Sequence, residues 1–149
     1  MYILITGGFD PIHSGHLSLI KHANSLGKVV IGLNSDDYLI RKKGTFLLPY
    51  VERLAVINSI RNIYSCIDEF DDSNNSSCYA IDNFYTKYKD KDEHLAFANG
   101  GDVLPTSSNI EEYYLCKKLG IITLFGLGNY KTVSSSNFLT ESYSRYLKK

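Results

Sequence analysis

The sequence predicts an α/β fold: a doubly wound, five-stranded parallel sheet with helices on both faces, in a single domain over residues 1–149. Two observations carry that reading. Short β-rich apolar runs alternate along the chain with stretches of helical spacing, and such alternation builds a parallel sheet covered by right-handed crossovers. The turns after the first, fourth and fifth strands (residues 7–15, 99–105 and 126–136) are rich in Gly, Asp, Ser or His. Open parallel sheets bind ligands at such turns, outside the carboxyl ends of the strands where the strand order reverses.

Residues 2–6 form the first strand, a β-rich run that stops in a tight turn at Gly7-Gly8. Residues 14–26 have helical spacing, with Leu17, Ile20 and Ala23 on one face and Gly27 just past the end. Residues 28–33 (KVVIGL) are the second strand, 36–42 a short helix, and Lys43-Gly44-Thr45 a flexible turn. Pro49 opens a third helix over 50–61, with Leu54, Ile57 and Ile60 toward the core. Residues 64–70 make the third strand, the polar run 71–77 (DDSNNSS) a loop, and 79–88 an amphipathic helix. The charged connector 89–93 reads as solvated surface. Residues 94–98 are the fourth strand, 109–119 a helix closed by Gly120, 121–125 the fifth strand and 134–147 the closing helix. No repeat with a period of 20–50 residues interrupts this order.

Composition narrows the function classes. Sixteen basic residues balance sixteen acidic ones, which argues against a broad nucleic-acid surface but leaves room for a local phosphate site. No run approaches the ~18 apolar residues of a membrane span, and the apolar start lacks the positive stretch of a signal peptide. Cys66, Cys78 and Cys116 are odd in number and lack zinc-ligand spacing, which fits a reduced, cytoplasmic setting.

The chemistry concentrates in Gly7-Gly8-Phe9-Asp10-Pro11-Ile12-His13-Ser14-Gly15-His16. Two glycines after a buried strand let backbone N–H groups approach an anion. His13 and His16, three apart at a helix entrance, can turn their rings the same way, toward the positive end of that helix. A helix N-terminus with two imidazole donors suits a polyphosphate. Two other readings stay open: a zinc pair, poor without a third ligand nearby, and a capped helix with incidental histidines.

This segment resembles the GxFDxxHxGH signature of the cytidylyltransferase-like nucleotidyltransferases, a family that includes glycerol-3-phosphate cytidylyltransferase, the heptose-phosphate adenylyltransferase domain and phosphopantetheine adenylyltransferase. Asn34-Ser35-Asp36-Asp37 followed by Lys42 is similar to the family's S/T-D-E stretch and downstream lysine. Glu52-Arg53 with Arg61 is similar to its E-R element and second arginine, Gly100-Gly101-Asp102 to its G-G-D turn, and Val133-Ser134-Ser135-Ser136 to its I-S-S/T-T motif. The likeness runs from about Ile3 to Leu139 and implies a Rossmann-like fold.

In that family a substrate phosphate attacks the α-phosphorus of a nucleoside triphosphate and expels pyrophosphate, so catalysis rests on positioning and charge stabilisation. The resemblance implies catalytic roles for His13, His16 and Lys42, with His16 donating to the α-phosphorus transition state and Lys42 bridging the reacting phosphates. It implies that Gly7, Gly8, Phe9, Asp10 and Gly15 form the phosphate loop, that Gly101 and Asp102 hold the base and ribose, and that Ser134, Ser135 and Ser136 add hydroxyls and N–H groups at the last helix. Simple N-capping by the serines, an ordinary surface position for Lys42 and a plain turn at Asp102 are the alternatives.

Arg53 is implied to face the acceptor phosphate and Arg61 to lie near the site or a dimer contact; surface salt bridges on one helical face are the plain alternative. Asn99 is a candidate contact to the acceptor or a base edge, and the loop 71–77 could reach over the substrate. Mg²⁺ is expected through the nucleotide phosphates, with metal ligands unassigned. The expected partners are a nucleoside triphosphate, CTP in preference to ATP, and a small phosphorylated acceptor, within a homodimer. Glycerol-3-phosphate cytidylyltransferases carry an arginine where this chain has Asn129, with Lys131 the nearby cation, so the acceptor is left open. An adenylyltransferase acting on a sugar phosphate and a non-catalytic nucleotide-binding domain are the competing readings. An RNA-linked role is set aside, because the chain has neither a basic face nor room for an RNA-binding module.

Overall fold

The structure, a computed structural model, describes residues 1–71, 73–100, 110–128 and 134–147. The elements run β1 (Tyr2–Gly7), α1 (Ser14–Leu26), β2 (Lys28–Asn34), α2 (Asp36–Lys43), α3 (Tyr50–Asn58), β3 (Ile63–Phe70), α4 (Cys78–Tyr88), β4 (Leu95–Gly100), α5 (Ile110–Leu119), β5 (Ile122–Leu127) and α6 (Ser135–Leu147). The five strands form one parallel sheet in the order β3-β2-β1-β4-β5. Connections leave β1 in both directions, so the order reverses between β1 and β4, and the expected doubly wound architecture is present.

Side chains alternate across a strand, so one sheet makes two cores. Ile3, Ile5, Val29, Ile31, Leu33, Ala96 and Ala98 pack with Ile20 and Ala23 of α1 and Ile57 of α3. Tyr2, Leu4, Val30 and Phe97 pack on the other face with Ala80, Ile81, Phe84 and Tyr88 of α4 and Cys116 of α5. Both faces are covered, which explains why the strand sequences read as continuous apolar runs. Burial pushes the Cys116 thiol up to about 12 and raises Cys66, so neither is a thiolate at neutral pH.

The structure corrects two expectations about helix faces. Leu17, grouped on one face with Ile20 and Ala23, is 46% exposed; Leu19 joins Ile20 and Ala23 against the sheet instead. Leu17 follows His16 by one residue, about 100° around the helix from that face. The third helix stops at Asn58 rather than at residue 61: Ser59 is its C-cap and Asn62 has φ 70. Arg53 and Arg61 therefore do not share a helical face. Arg53 is buried within α3, and Arg61 is exposed beyond its end.

Candidate active site

The loop after β1 folds onto itself. Gly7 ends the strand, Phe9 takes φ 50, and its ring is buried 4.8 Å from that of His16. His13 is the N-cap of α1, with its Nδ1 accepting the Gly15 N–H at 3.2 Å. His16 reaches back so that its Nδ1 accepts the His13 N–H at 3.3 Å. This is a capping box built from two imidazoles, with histidine where Ser/Thr and Glu normally serve. The two rings stack, with centroids 3.8 Å apart and planes 26° apart. An Nδ1 that accepts cannot carry the ring proton, so each imidazole has its N–H on Nε2, the nitrogen on the far side of the ring. The cap satisfies α1 and fixes both tautomers together.

The serine-bearing terminus lies beside this loop. Ser134 caps α6 by accepting the Asn137 N–H at 3.2 Å, and the buried Ser135 donates its hydroxyl to the Pro11 carbonyl at 2.9 Å. Phe138, one turn along, brings its ring to 6.0 Å from that of His13. The N-termini of α1 and α6 are thus held together, and the positive ends of their dipoles make one region. Ser136 lies in the first turn of α6.

Asp10 and Arg53 fasten the surrounding scaffold. The buried Asp10 carboxylate accepts the Leu47 and Leu48 N–H groups at 2.7 and 2.8 Å, pinning the segment after α2 to the loop. Arg53, expected on an acceptor phosphate, is turned inward at 1% exposure. Its guanidinium donates to the carbonyls of Leu48 (2.9 Å), Gly8 (2.8 Å) and Asn34 (2.9 Å) and to the Asp36 carboxylate (2.7 Å). Four of its five donors are thereby used inside the protein. Gly8 lies so close to α2 that a Cβ there would sit 2.6 Å from Cδ2 of Leu39.

Lys42 is exposed in the last turn of α2, its Nζ donating to Tyr38 Oη at 3.3 Å. Tyr38 in turn donates to the Asn75 carbonyl at 2.7 Å. The polar loop 71–77 is strapped down by the Arg41–Asp71 ion pair, by Asn74 on Glu111 (2.8 Å), by the Ser77 N–H on Glu112 (2.9 Å) and by the Thr6–Ser77 hydroxyl pair (3.0 Å). Thr6 immediately precedes Gly7-Gly8, so the strap crosses the carboxyl end of β1. Within it, Asn75 Oδ1 is buried with no hydrogen-bond partner. Asn99 is half-buried at the end of β4, beside the strand-order reversal; Gly101, Asp102, Asn129 and Lys131 lie outside the described residues. Sequence reasoning missed Tyr38, whose position in a charged helix gave no signal, and singled out the loop 71–77 as one that could reach over the substrate without finding what holds it.

The Arg41 guanidinium beside Asp71 holds that carboxyl below its ordinary value of 3.8. The stabilisation from this pair is therefore present above that value and lost as pH falls through the lower folded one. Amide protection over the strap should drop in the parent chain only under such acid conditions, and in Arg41→Ala already at pH 7. Full protection of that variant at neutral pH would show that the ion pair does not hold the strap.

Fold and loop together define an α/β domain in which two helix N-termini are joined at the carboxyl edge of a parallel sheet. The family model described as cytidylyltransferase-like matches residues 4–140, and the chain belongs to that family. It is 28% identical over 120 residues to ethanolamine-phosphate cytidylyltransferase of Arabidopsis thaliana, covering 79% of this chain and 27% of that protein. It is 36% identical over 66 residues to phosphopantetheine adenylyltransferase of Pyrobaculum aerophilum, covering 44% of this chain and 41% of that one. The chain thus spans less than half the length of these relatives. The crystal structure of a lipopolysaccharide core biosynthesis protein from Thermoplasma volcanium shares the fold, with a TM-score of 0.63 at 21% identity over 88% of this chain and 98% of the other. Among the described residues no helix is long and apolar enough to cross a membrane.

Proposed function

We propose that the protein transfers CMP from CTP to a small phosphorylated acceptor. An acceptor phosphate oxygen forms a bond to the α-phosphorus, the bond from that phosphorus to the bridging oxygen breaks, and pyrophosphate leaves. The observation that carries the reading is the stacked His13–His16 pair, both Nδ1 atoms locked by backbone N–H groups, joined through Pro11 to the serine terminus of α6. Two fixed Nε2–H donors at two helix N-termini suit a triphosphate whose α-phosphorus gains charge as it reacts.

No three metal-ligating side chains converge among the described residues, and both oxygens of Asp10 already accept backbone N–H groups. This fits Mg²⁺ carried on phosphate oxygens, where it would neutralise charge on the leaving pyrophosphate. Lys42, hydrogen-bonded to Tyr38, brings a cation to the strap side of the loop. Lys42→Ala should lower kcat by tenfold or more while changing nucleotide affinity less, because its charge acts as the transition state forms. Equal losses in both would assign it to ground-state binding.

Adenylyl transfer is the second reading, favoured by the match to phosphopantetheine adenylyltransferase. Pyrophosphate release, measured with CTP, ATP and GTP against a panel of phosphorylated alcohols, amines and sugars, separates the readings. Release is expected with CTP. Release only with ATP would assign adenylyl transfer, and none with any pair would leave a nucleotide-binding domain.

A further inference from the structure

Tyr38 sits at the seam between α2 and the strap 71–77. Its backbone N–H donates to the Ser35 hydroxyl that caps α2, at 2.9 Å, and the residue is 3% exposed. Its own hydroxyl donates to the Asn75 carbonyl at 2.7 Å. A phenol has one proton to give, so its oxygen meets any further donor with lone pairs alone. Lys42, one turn along the same face of α2, supplies that donor. Its Nζ lies 3.3 Å from Tyr38 Oη and 5.3 Å from the ring centroid. One buried residue thus offers the ammonium both an oxygen and an aromatic face.

The structure also separates Lys42 from the cation beside it. Arg41 is committed to the Asp71 carboxylate on the strap, whereas the exposed Lys42 meets a neutral hydroxyl. A neutral partner places an ammonium without cancelling its charge, and that charge remains available to a phosphate. Both elements that meet at Tyr38 touch the end of β1. Leu39, the next residue of α2, packs on Gly8 so tightly that a Cβ there would sit 2.6 Å from its Cδ2. Ser77, two residues after Asn75, has its hydroxyl 3.0 Å from that of Thr6, just before Gly7-Gly8. The route from Lys42 to the phosphate loop therefore runs through residues 38 and 39 of one helix.

We infer that Tyr38 is a positioning residue: its hydroxyl, fixed by the strap carbonyl of Asn75, sets the Lys42 ammonium for the reacting phosphates. The inference rests on the transfer reading above and on the part Lys42 has in it. What it adds is a single oxygen, since phenylalanine at this position would fill the same space in the core without it.

The test is a double-mutant cycle of the parent chain, Tyr38→Phe, Lys42→Ala and the double variant. Pyrophosphate release is measured with CTP or ATP, Mg²⁺ and the panel of phosphorylated alcohols, amines and sugars, with rates normalised to folded protein from melting curves. Tyr38→Phe should lower kcat about three- to tenfold, the range one hydrogen bond supports, with nucleotide KM within about twofold of the parent. In the Lys42→Ala background the same substitution should change kcat by less than about twofold, because the group it places is gone. That silence is what a merely structural role would not produce. Parent-like kcat in Tyr38→Phe overturns the inference, and so does an equal fold-loss in both backgrounds. A Lys42→Ala variant with parent-like kcat would instead remove Lys42 from the reaction. A parent chain that releases no pyrophosphate with any pair overturns the transfer reading itself, and the positioning role with it.

Discussion

Replacing His16 with alanine should lower turnover by about 10²–10³-fold, the cost of removing one fixed donor from a developing phosphoryl charge. The fold should hardly notice. The substitution removes the bond from the His13 N–H, half of the capping box of α1, and losing a cap costs about 1 kcal/mol, or a few degrees in Tm for a domain of this size. The remaining half, Gly15 N–H on His13, stays in place. Steady-state kinetics beside a melting curve decides the matter. Loss of activity in proportion to loss of folded protein would make His16 a capping residue and nothing more.

Arg53→Met should do the reverse, with its largest effect on stability. Arg53 is the largest fully buried side chain among the described residues, and its guanidinium bonds three carbonyls and the Asp36 carboxylate. Methionine leaves those acceptors unpaired, and breaking a buried ion pair from one side costs about 3–5 kcal/mol. That is a large part of the 5–15 kcal/mol that typically holds a domain together. Urea unfolding should show a much lower midpoint, with Arg53→Lys recovering little because an ammonium cannot span four divergent acceptors. An unchanged midpoint with a raised acceptor KM would instead return Arg53 to the role its motif implied.

The contrast between these residues shows what a sequence exposes. The strand–helix alternation was legible because the central strands β1, β2 and β4 are buried on both faces and the turns carry glycine or a polar run. Residues 14–26 were bounded correctly because Gly27 closes an apolar period that is real. The third helix was overextended because Ile60 keeps the period while Ser59 has already capped the helix and Asn62 turns with positive φ. Arg53 was misread for a deeper reason. A charge in an amphipathic helix ordinarily faces solvent or ligand, and only the folded chain brings the Leu48, Gly8 and Asn34 carbonyls to one point. Tyr38 gave no signal at all, because its partner, Asn75, lies 37 residues away.

The account depends on triphosphate contacts at the Nε2 atoms of the two capping histidines. Long-range ¹H–¹⁵N correlation of the imidazole rings during titration with CTP and Mg²⁺ reads those atoms individually among the four histidines of the chain. It should show both His13 and His16 as Nε2–H tautomers, with their Nε2 resonances moving together and saturating, while those of the distant His94 stay fixed. Saturable nucleotide binding that leaves the His13 and His16 resonances unmoved would place the triphosphate elsewhere and contradict the account.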